Sequence, residues 1–403
     1  MSTSSSVKPL QFKILAECRT SNARTAVMCL PHFNVETPVF MPVGTKGSIK
    51  GVLNQQLETL NCQIILGNTY HLGIKPGIDV LEKAGGLHKF MGWNRALLTD
   101  SGGFQMVSLL KFAEIKEEGV KFQSTYGDGV ELMLSPEHST KIQNIIGADI
   151  MMQLDDVNPT TLTGPRVAEA KDRTVRWLDR CLAAHENPST QNIFPIVQGG
   201  LDENLRKDCA QQLTERDVNG FAVGGLSGGE AKEDFWYNVL ISVNNLPKEK
   251  PRYVMGIGFA VDLLICCALG ADMFDCVFPT RTARFGSALV RQGQLQLRQS
   301  CYATDDRTID KDCPCSTCKR YTRSYLHHIV TVEPSACHLL SVHNIAFQMR
   351  LMQEIRESIK SQTFPQYVKE YMKDAYPDEN YPKWTVDALR AVNIDLIDCN
   401  PGR

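Results

Sequence analysis

The sequence predicts an α/β protein built as a (β/α)8 TIM barrel with an inserted subdomain before its last helix. Eight short, continuous apolar runs recur along the 403 residues, the pattern of strands buried on both faces of a parallel sheet rather than of half-exposed, alternating strands. Stretches with apolar residues at three-and-four spacing separate most of them, such as Pro165 to His185, Asp202 to Thr214 and Gly229 to Asn245, which is the alternation of a barrel. The runs also end in polar or glycine residues, and strand C-terminal ends are where barrel sites are built.

The first three runs are Thr37 to Pro42, Gln63 to Asn68 and Ala96 to Asp100. After the third, Val107 to Met133 breaks the alternation, and Gly119, Gly127 and Gly129 between alternating stretches predict a hairpin excursion. The remaining runs are Asp149 to Asp155, Ile193 to Gln198, Gly220 to Gly225, Arg252 to Gly256 and Asp272 to Val277. A second interruption, Arg298 to Tyr325, holds a cysteine cluster. Ser335 to Ser361 has helical periodicity and is expected to be the eighth barrel helix, delayed by that insertion. The tail from Thr363, rich in Tyr and Pro around Tyr376 to Trp384, is expected to pack back onto the barrel. The expected division is therefore 1–297 for the barrel strands and helices with a hairpin insertion at about 107–133, 298–334 for the cysteine-bearing insertion, and 335–403 for the last barrel helix and tail.

Composition narrows the function classes. With 43% hydrophobic and 22% charged residues the chain is neither largely disordered nor collagenous nor membrane-embedded. The longest apolar run, Leu263 to Ala271, lies between Asp262 and Asp272 and falls short of the ~20 residues a membrane helix needs. Met1 to Pro9 is Ser-rich without an apolar signal core, so a cytosolic location is expected. A net charge of −2 excludes a whole-molecule pull on nucleic acid, leaving only a local patch. Of 14 cysteines, eleven are scattered, including the neighbours Cys266 and Cys267, and read as reduced thiols.

The other three, Cys313, Cys315 and Cys318, crowd into a CxCxxC array. Three soft thiolates so close suit one tetrahedral metal ion, zinc above all, and a fourth protein ligand would close the site and make it structural. Spacing alone leaves His327, His328, His338 and His343 open for that position. The strand ends gather Asn68, Asp100, Asp155, Gln198, Gly225, Met255 and Asp275. Asp100-Ser101-Gly102-Gly103-Phe104-Gln105 adds glycines that let backbone amides approach a ligand. Asp275 lies in a buried strand, where a carboxylate is costly unless used or paired. Two carboxylates at one barrel mouth permit acid/base and nucleophilic catalysis at a sugar anomeric carbon, and Asp155-Asp156 offers acceptors for the N–H groups of a base. From Arg281 to Arg323 nine Lys/Arg face four Asp/Glu, a positive stripe suited to phosphate contacts.

These residues resemble the tRNA-guanine transglycosylase family from about Phe12 to Ile359, through Asp100 to Gln105, Gln153 to Val157, Val197 to Gly200, Val223 to Leu226, Tyr253 to Gly256, Asp275 to Arg284 and the cysteine array. The resemblance implies exchange of guanine for queuine at the wobble position of GUN-anticodon tRNAs (Asp, Asn, His, Tyr), by two displacements through a covalent ribosyl-aspartate, the logic of a retaining glycosidase. It implies Asp275 as nucleophile and Asp100 as general acid/base. It implies a base site of Ser101, Gly102, Gly103, Phe104, Asp155, Gln198, Gly225, Gly228 and Met255, with Phe104 and Met255 sandwiching the ring. Gly256, Ile257, Gly258, Phe259, Ala260, Val261 and Asp262, with Thr280, Arg281, Thr282, Ala283 and Arg284, would hold the anticodon, and His343 would complete the zinc site. Val157 and Gly228 stand where bacterial members carry Cys and Val, matching eukaryotic ones, and Gly228 should make room for the cyclopentenediol of queuine. A noncatalytic, paralogous accessory subunit as heterodimer partner, and a pool peripheral on the mitochondrial outer membrane, are further implications. Two rival readings are a noncatalytic zinc-dependent tRNA-binding scaffold, which the paired Asp100 and Asp275 oppose, and a barrel nucleoside-processing enzyme, which would need neither the Arg281–Arg284 segment nor the metal module.

Overall fold

The computed structural model describes residues 8–103, 114–123 and 131–397. Its centre is a ring of parallel strands: β1 (Val39–Pro42), β2 (Ile64–Asn68), β3 (Ala96–Asp100), β4 (Ile150–Met152), β5 (Asn192–Phe194, resuming as Ile196–Val197), β6 (Phe221–Val223), β7 (Arg252–Val254) and β8 (Met273–Cys276). Pro195 interrupts β5 because it lacks the N–H that a ladder requires. Pairing runs β2 to β5 on one side and β5 to β8 to β1 on the other. A parallel bridge between Val43 and Leu66, with the Gly44 N–H donating to the Leu66 carbonyl at 2.7 Å, joins β1 to β2. The barrel is closed.

Because side chains alternate along a strand, each run divides between two layers. Val39, Met41, Ile64, Leu66, Ala96, Leu98, Ile150, Met152, Phe194, Ile196, Ala222, Tyr253 and Met273 fill the interior. Phe40, Ile65, Leu97, Met151, Ile193, Phe221, Val254 and Phe274 point outward into the layer under the helices. This two-sided burial is why the runs read as continuously apolar.

An N-terminal antiparallel sheet, Gln11–Glu17, Arg24–Cys29 and Asn34–Thr37, precedes the barrel. The sequence reading begins its strands at Thr37 and misses this sheet. Its Met28, Leu30 and Val35, with Leu10, join the interior cluster and close the barrel's floor. Arg24 ties it to the start of β8 through a buried, two-pronged ion pair with Asp272, at 2.9 and 2.6 Å.

Helices Pro165–Ala184, Glu203–Thr214, Lys232–Asn244 and Ala260–Ala268 follow β4 to β7 in turn. After β3, strands Glu114–Ile115, Val120–Gln123 and Glu131–Leu134 form a small antiparallel sheet, the rest of the expected hairpin excursion lying outside the described residues. After β8 come the short helix Phe278–Arg284, the hairpin Ser287–Val290 with Gly293–Gln296, and the cysteine loop. The long helix Pro334–Lys360 then lays Ile345, Met349, Met352, Ile355 and Ile359 on the barrel's outer layer as the eighth helix. Tail helices Phe364–Ala375 and Lys383–Arg390 add Phe364, Val368, Tyr371, Met372 and Leu389 to that layer. Among the described residues no helix is long and apolar enough to cross a membrane.

Candidate active site

The barrel's register builds the site. Two residues beyond the last interior apolar side chain of β2, β3, β5, β7 and β8 stand Asn68, Asp100, Gln198, Met255 and Asp275, so the period that packs the core also aims these groups into the mouth. Asp275 Oδ1 accepts two hydrogen bonds, from the Tyr253 hydroxyl at 2.6 Å and the Gly256 N–H at 2.8 Å. Burial raises its carboxyl above the usual range while both donors pull it back. Tyr253 is fully buried. Its phenol is pushed well above its ordinary value first by burial, then by the charge of Asp275 and, more weakly, of Asp100. Asp100 is held by Asn68 Nδ2 at 2.7 Å on Oδ2 and by the Thr69 N–H at 3.1 Å on Oδ1.

Beside this pair, Asp155 Oδ2 accepts from Gln198 Nε2 at 2.7 Å. Burial, opposed by the Gln198 and Ser101 hydrogen bonds and assisted by the Asp156 charge, raises the Asp155 carboxyl to about 6. The two neighbouring acids divide: Asp156 points away from the mouth into Arg166, at 2.7 Å, and Arg173, and its N–H donates to Thr174 Oγ1 at 3.0 Å. Only Asp155 is therefore available to a base. Gly225, at φ +67°, has no room for a side chain, since a Cβ there would lie 2.3 Å from Gln198 Oε1. Gly102 turns at φ +83°, and Gly103 lies against Leu154 and the Asp155 carbonyl. Phe104 lies outside the described residues.

Sequence reasoning missed two residues here. Tyr253 sits one interior position below Met255, where a phenol is the exception among apolar neighbours. Arg206 shares the buried face of its helix with Cys209, Ala210 and Leu213. Its guanidinium donates to the carbonyls of Gly200, at 2.6 Å, and Gly224, at 3.1 Å, and so braces the two loops that carry Gln198 and Gly225. An arginine at the apolar spacing of a helix was the available signal.

The cysteine loop and the long helix form a second centre. Cys313, Cys315, Cys318 and His343 are buried, with ligand atoms all within 4.8 Å of one another. His343 Nδ1 stands 3.7, 3.7 and 3.2 Å from the three sulfurs, against a tetrahedral edge of about 3.5 Å implied by ordinary zinc–sulfur and zinc–nitrogen bonds. Its other nitrogen is 2.8 Å from the Leu289 carbonyl, which fixes the ring with Nδ1 toward the thiols. His327 and His328 are engaged with the carbonyls of Leu297 and Ala303, and His338 packs by Gly51. The group can hold one metal ion.

The profile of the family described as "TGT: Queuine tRNA-ribosyltransferase" matches residues 18–377. The chain is 52% identical over 402 residues to the "Queuine tRNA-ribosyltransferase catalytic subunit" of Schizosaccharomyces pombe, covering 98% of this chain and 99% of that protein. The chain belongs to this family. It is likewise 52% identical to the protein of the same name from Caenorhabditis elegans, over 95% of this chain and 96% of that one. To the "Queuine tRNA-ribosyltransferase" of Thermoanaerobacter sp. it is 43% identical, over 92% and 99%.

The two segments that the sequence resemblance would set against an RNA are only partly exposed. Gly256, Phe259, Arg281 and Arg284 are exposed, and Ala260, Val261 and Thr282 are half-buried. Ile257, Gly258, Asp262, Thr280 and Ala283 are buried, Asp262 being paired with Lys232 at 2.5 Å. Apolar surface joins the arginines: the Phe259 ring packs tilted against Phe278 with centroids 4.2 Å apart, and Val277 and Phe285 are exposed. Of the positive stripe, Arg291, Arg307 and Arg323 are spent on Glu354, Asp374 and Asp305.

Proposed function

We propose that this chain is the catalytic subunit of a tRNA-guanine transglycosylase that replaces guanine with queuine at the wobble position of GUN-anticodon tRNAs. The placement of Asp100 and Asp275 at the C-terminal ends of β3 and β8, in one barrel mouth, carries this reading. Both hydrogen bonds to Asp275 end on Oδ1, which leaves Oδ2 to attack ribose C1′. The bond from C1′ to guanine breaks as the C1′–Oδ2 ester forms, and Asp100 protonates the departing ring. Queuine then gives a proton to Asp100 and displaces the carboxylate, and two inversions restore the β-configuration. The Asp155 carboxylate accepts the N–H edge of the base and Gln198 and Gly225 align it, while Met255 covers one face. A wobble base reaches this depth only when extruded from its stack, and Phe259, Arg281 and Arg284 are the surface that receives the loop around it.

Zinc is the ion that three thiolates and an imidazole select, and with four protein ligands the site supplies structure, not a water for chemistry. The remaining parts of the reading are an assembly with a noncatalytic, paralogous accessory subunit and a cytosolic location with a pool on the mitochondrial outer membrane. Co-purification that yields only homodimers, or fractionation that leaves mitochondria free of the chain, would remove these.

The deciding experiment measures labelled guanine incorporation into tRNA-Tyr by the chain with its partner, comparing wild type with Asp275→Ala. Loss of exchange with retained tRNA binding is the expected result. Undiminished exchange would move the nucleophile elsewhere, and no exchange in wild type would favour the tRNA-binding scaffold.

A further inference from the structure

The segment that donates to Asp275 is itself held from outside the barrel mouth. Gly256, whose N–H reaches Asp275 Oδ1 at 2.8 Å, is followed two residues later by Gly258, which is buried where a Cβ would stand 2.6 Å from Cys276 Cβ and 3.0 Å from Phe278 Cβ. The carbonyl of Gly258 accepts from Gln348 Nε2 at 2.7 Å. Gln348 is fully buried on the long helix, and its Oε1 has no protein partner. One turn earlier Asn344, also fully buried, accepts from the Leu289 N–H at 2.8 Å and donates to the carbonyls of Pro279 and Ser287 at 2.9 and 3.0 Å. A fully buried amide costs free energy unless its hydrogen bonds compensate. Here it spans ninety residues of sequence to one carbonyl of the loop that touches the carboxylate.

We infer that Gln348 is a positioning residue for the exchange reaction: by holding the Gly258 carbonyl it fixes the Gly256 N–H on Oδ1 of Asp275 and so aims Oδ2 at C1′. The inference rests on Asp275 as the nucleophile. Gln348 touches no substrate and acts through the loop, so its removal affects the chemical step more than it affects binding.

The test substitutes Gln348→Met, which keeps volume and removes the donor, in the complete chain with its partner. Exchange kinetics with guanine and binding of tRNA-Tyr are measured beside amide hydrogen exchange of the segment 256–262. A misplacement of this kind is expected to lower kcat by about tenfold to a hundredfold, with the guanine KM within about twofold of wild type and any loss of tRNA affinity smaller than the loss in kcat. Faster amide exchange confined to 256–262 is expected with it, a readout that holds even at reduced stability. An unchanged kcat, a loss residing in KM, or unaltered exchange of that segment would overturn the inference. Wild-type exchange that survives Asp275→Ala would instead remove the nucleophile assignment beneath it.

Discussion

Asp155 is the residue at which binding and folding pull against each other. Its carboxyl is raised to about 6, chiefly by burial, so its folded value lies above its unfolded one. Ionisation therefore costs stability that is intact below the unfolded value and lost as pH rises through about 6. Asp155→Asn should stabilise the protein at pH 7 by on the order of 1–3 kcal/mol, because a shift of one unit is worth about 1.4 kcal/mol, while abolishing base exchange. Urea denaturation beside an exchange assay checks both, and a variant that is less stable at pH 7 and equally so at pH 5 would refute the argument. The same group predicts that the KM for free guanine rises as pH falls below about 6, since the protonated acid no longer offers two acceptors to the base edge. At this scale the mouth residues were legible because strand ends are. Tyr253 and Arg206 were not, since each is polar at a position where the period signals core, and only tertiary contact shows what it holds.

On the proposed reading, the loops after β4 and β6 are the elements that would carry specificity. A Cβ at Gly228 would stand 2.2 Å from Thr160 Oγ1, and Thr160 is itself buried, so a side chain there first collides with protein. Gly228→Val is thus expected to depress exchange with both bases, queuine more than guanine. Adding Thr160→Ala should restore guanine exchange while queuine use stays impaired. Equal recovery for both bases would mean that Gly228 serves the loop's packing and not the room for a larger base. If the cysteine loop holds zinc as proposed, chelation or Cys318→Ala should remove one equivalent of the metal and lower stability by more than about 4 kcal/mol, as the loss of a metal or a buried network does. Elemental analysis and thermal melting test this. Spacing could not choose among four histidines because the loop's path back to the long helix decides which ring arrives. His343 comes within reach of the thiols, and its neighbours are turned to carbonyls.

At the scale of the whole molecule, the eightfold alternation gave away the barrel because every strand is buried on both faces. The N-terminal sheet escaped notice for the opposite reason. Its first strand alternates exposed and half-buried residues, and its sealing contact rests on a few side chains. Its anchor makes a prediction: Asp272→Ala leaves Arg24 buried without its carboxylate, and breaking such a pair costs about 3–5 kcal/mol. Denaturation should show that loss while kcat per folded molecule stays unchanged, since the pair lies at the opposite end of the barrel from Asp275.

The sealed floor has a kinetic corollary. With Leu10, Met28, Leu30 and Val35 stoppering one end of the barrel, the outgoing purine and the incoming one share a single doorway with the RNA that stays tethered between them. Traffic through it is one at a time, so liberated guanine must leave by the route its replacement takes in before that replacement can dock.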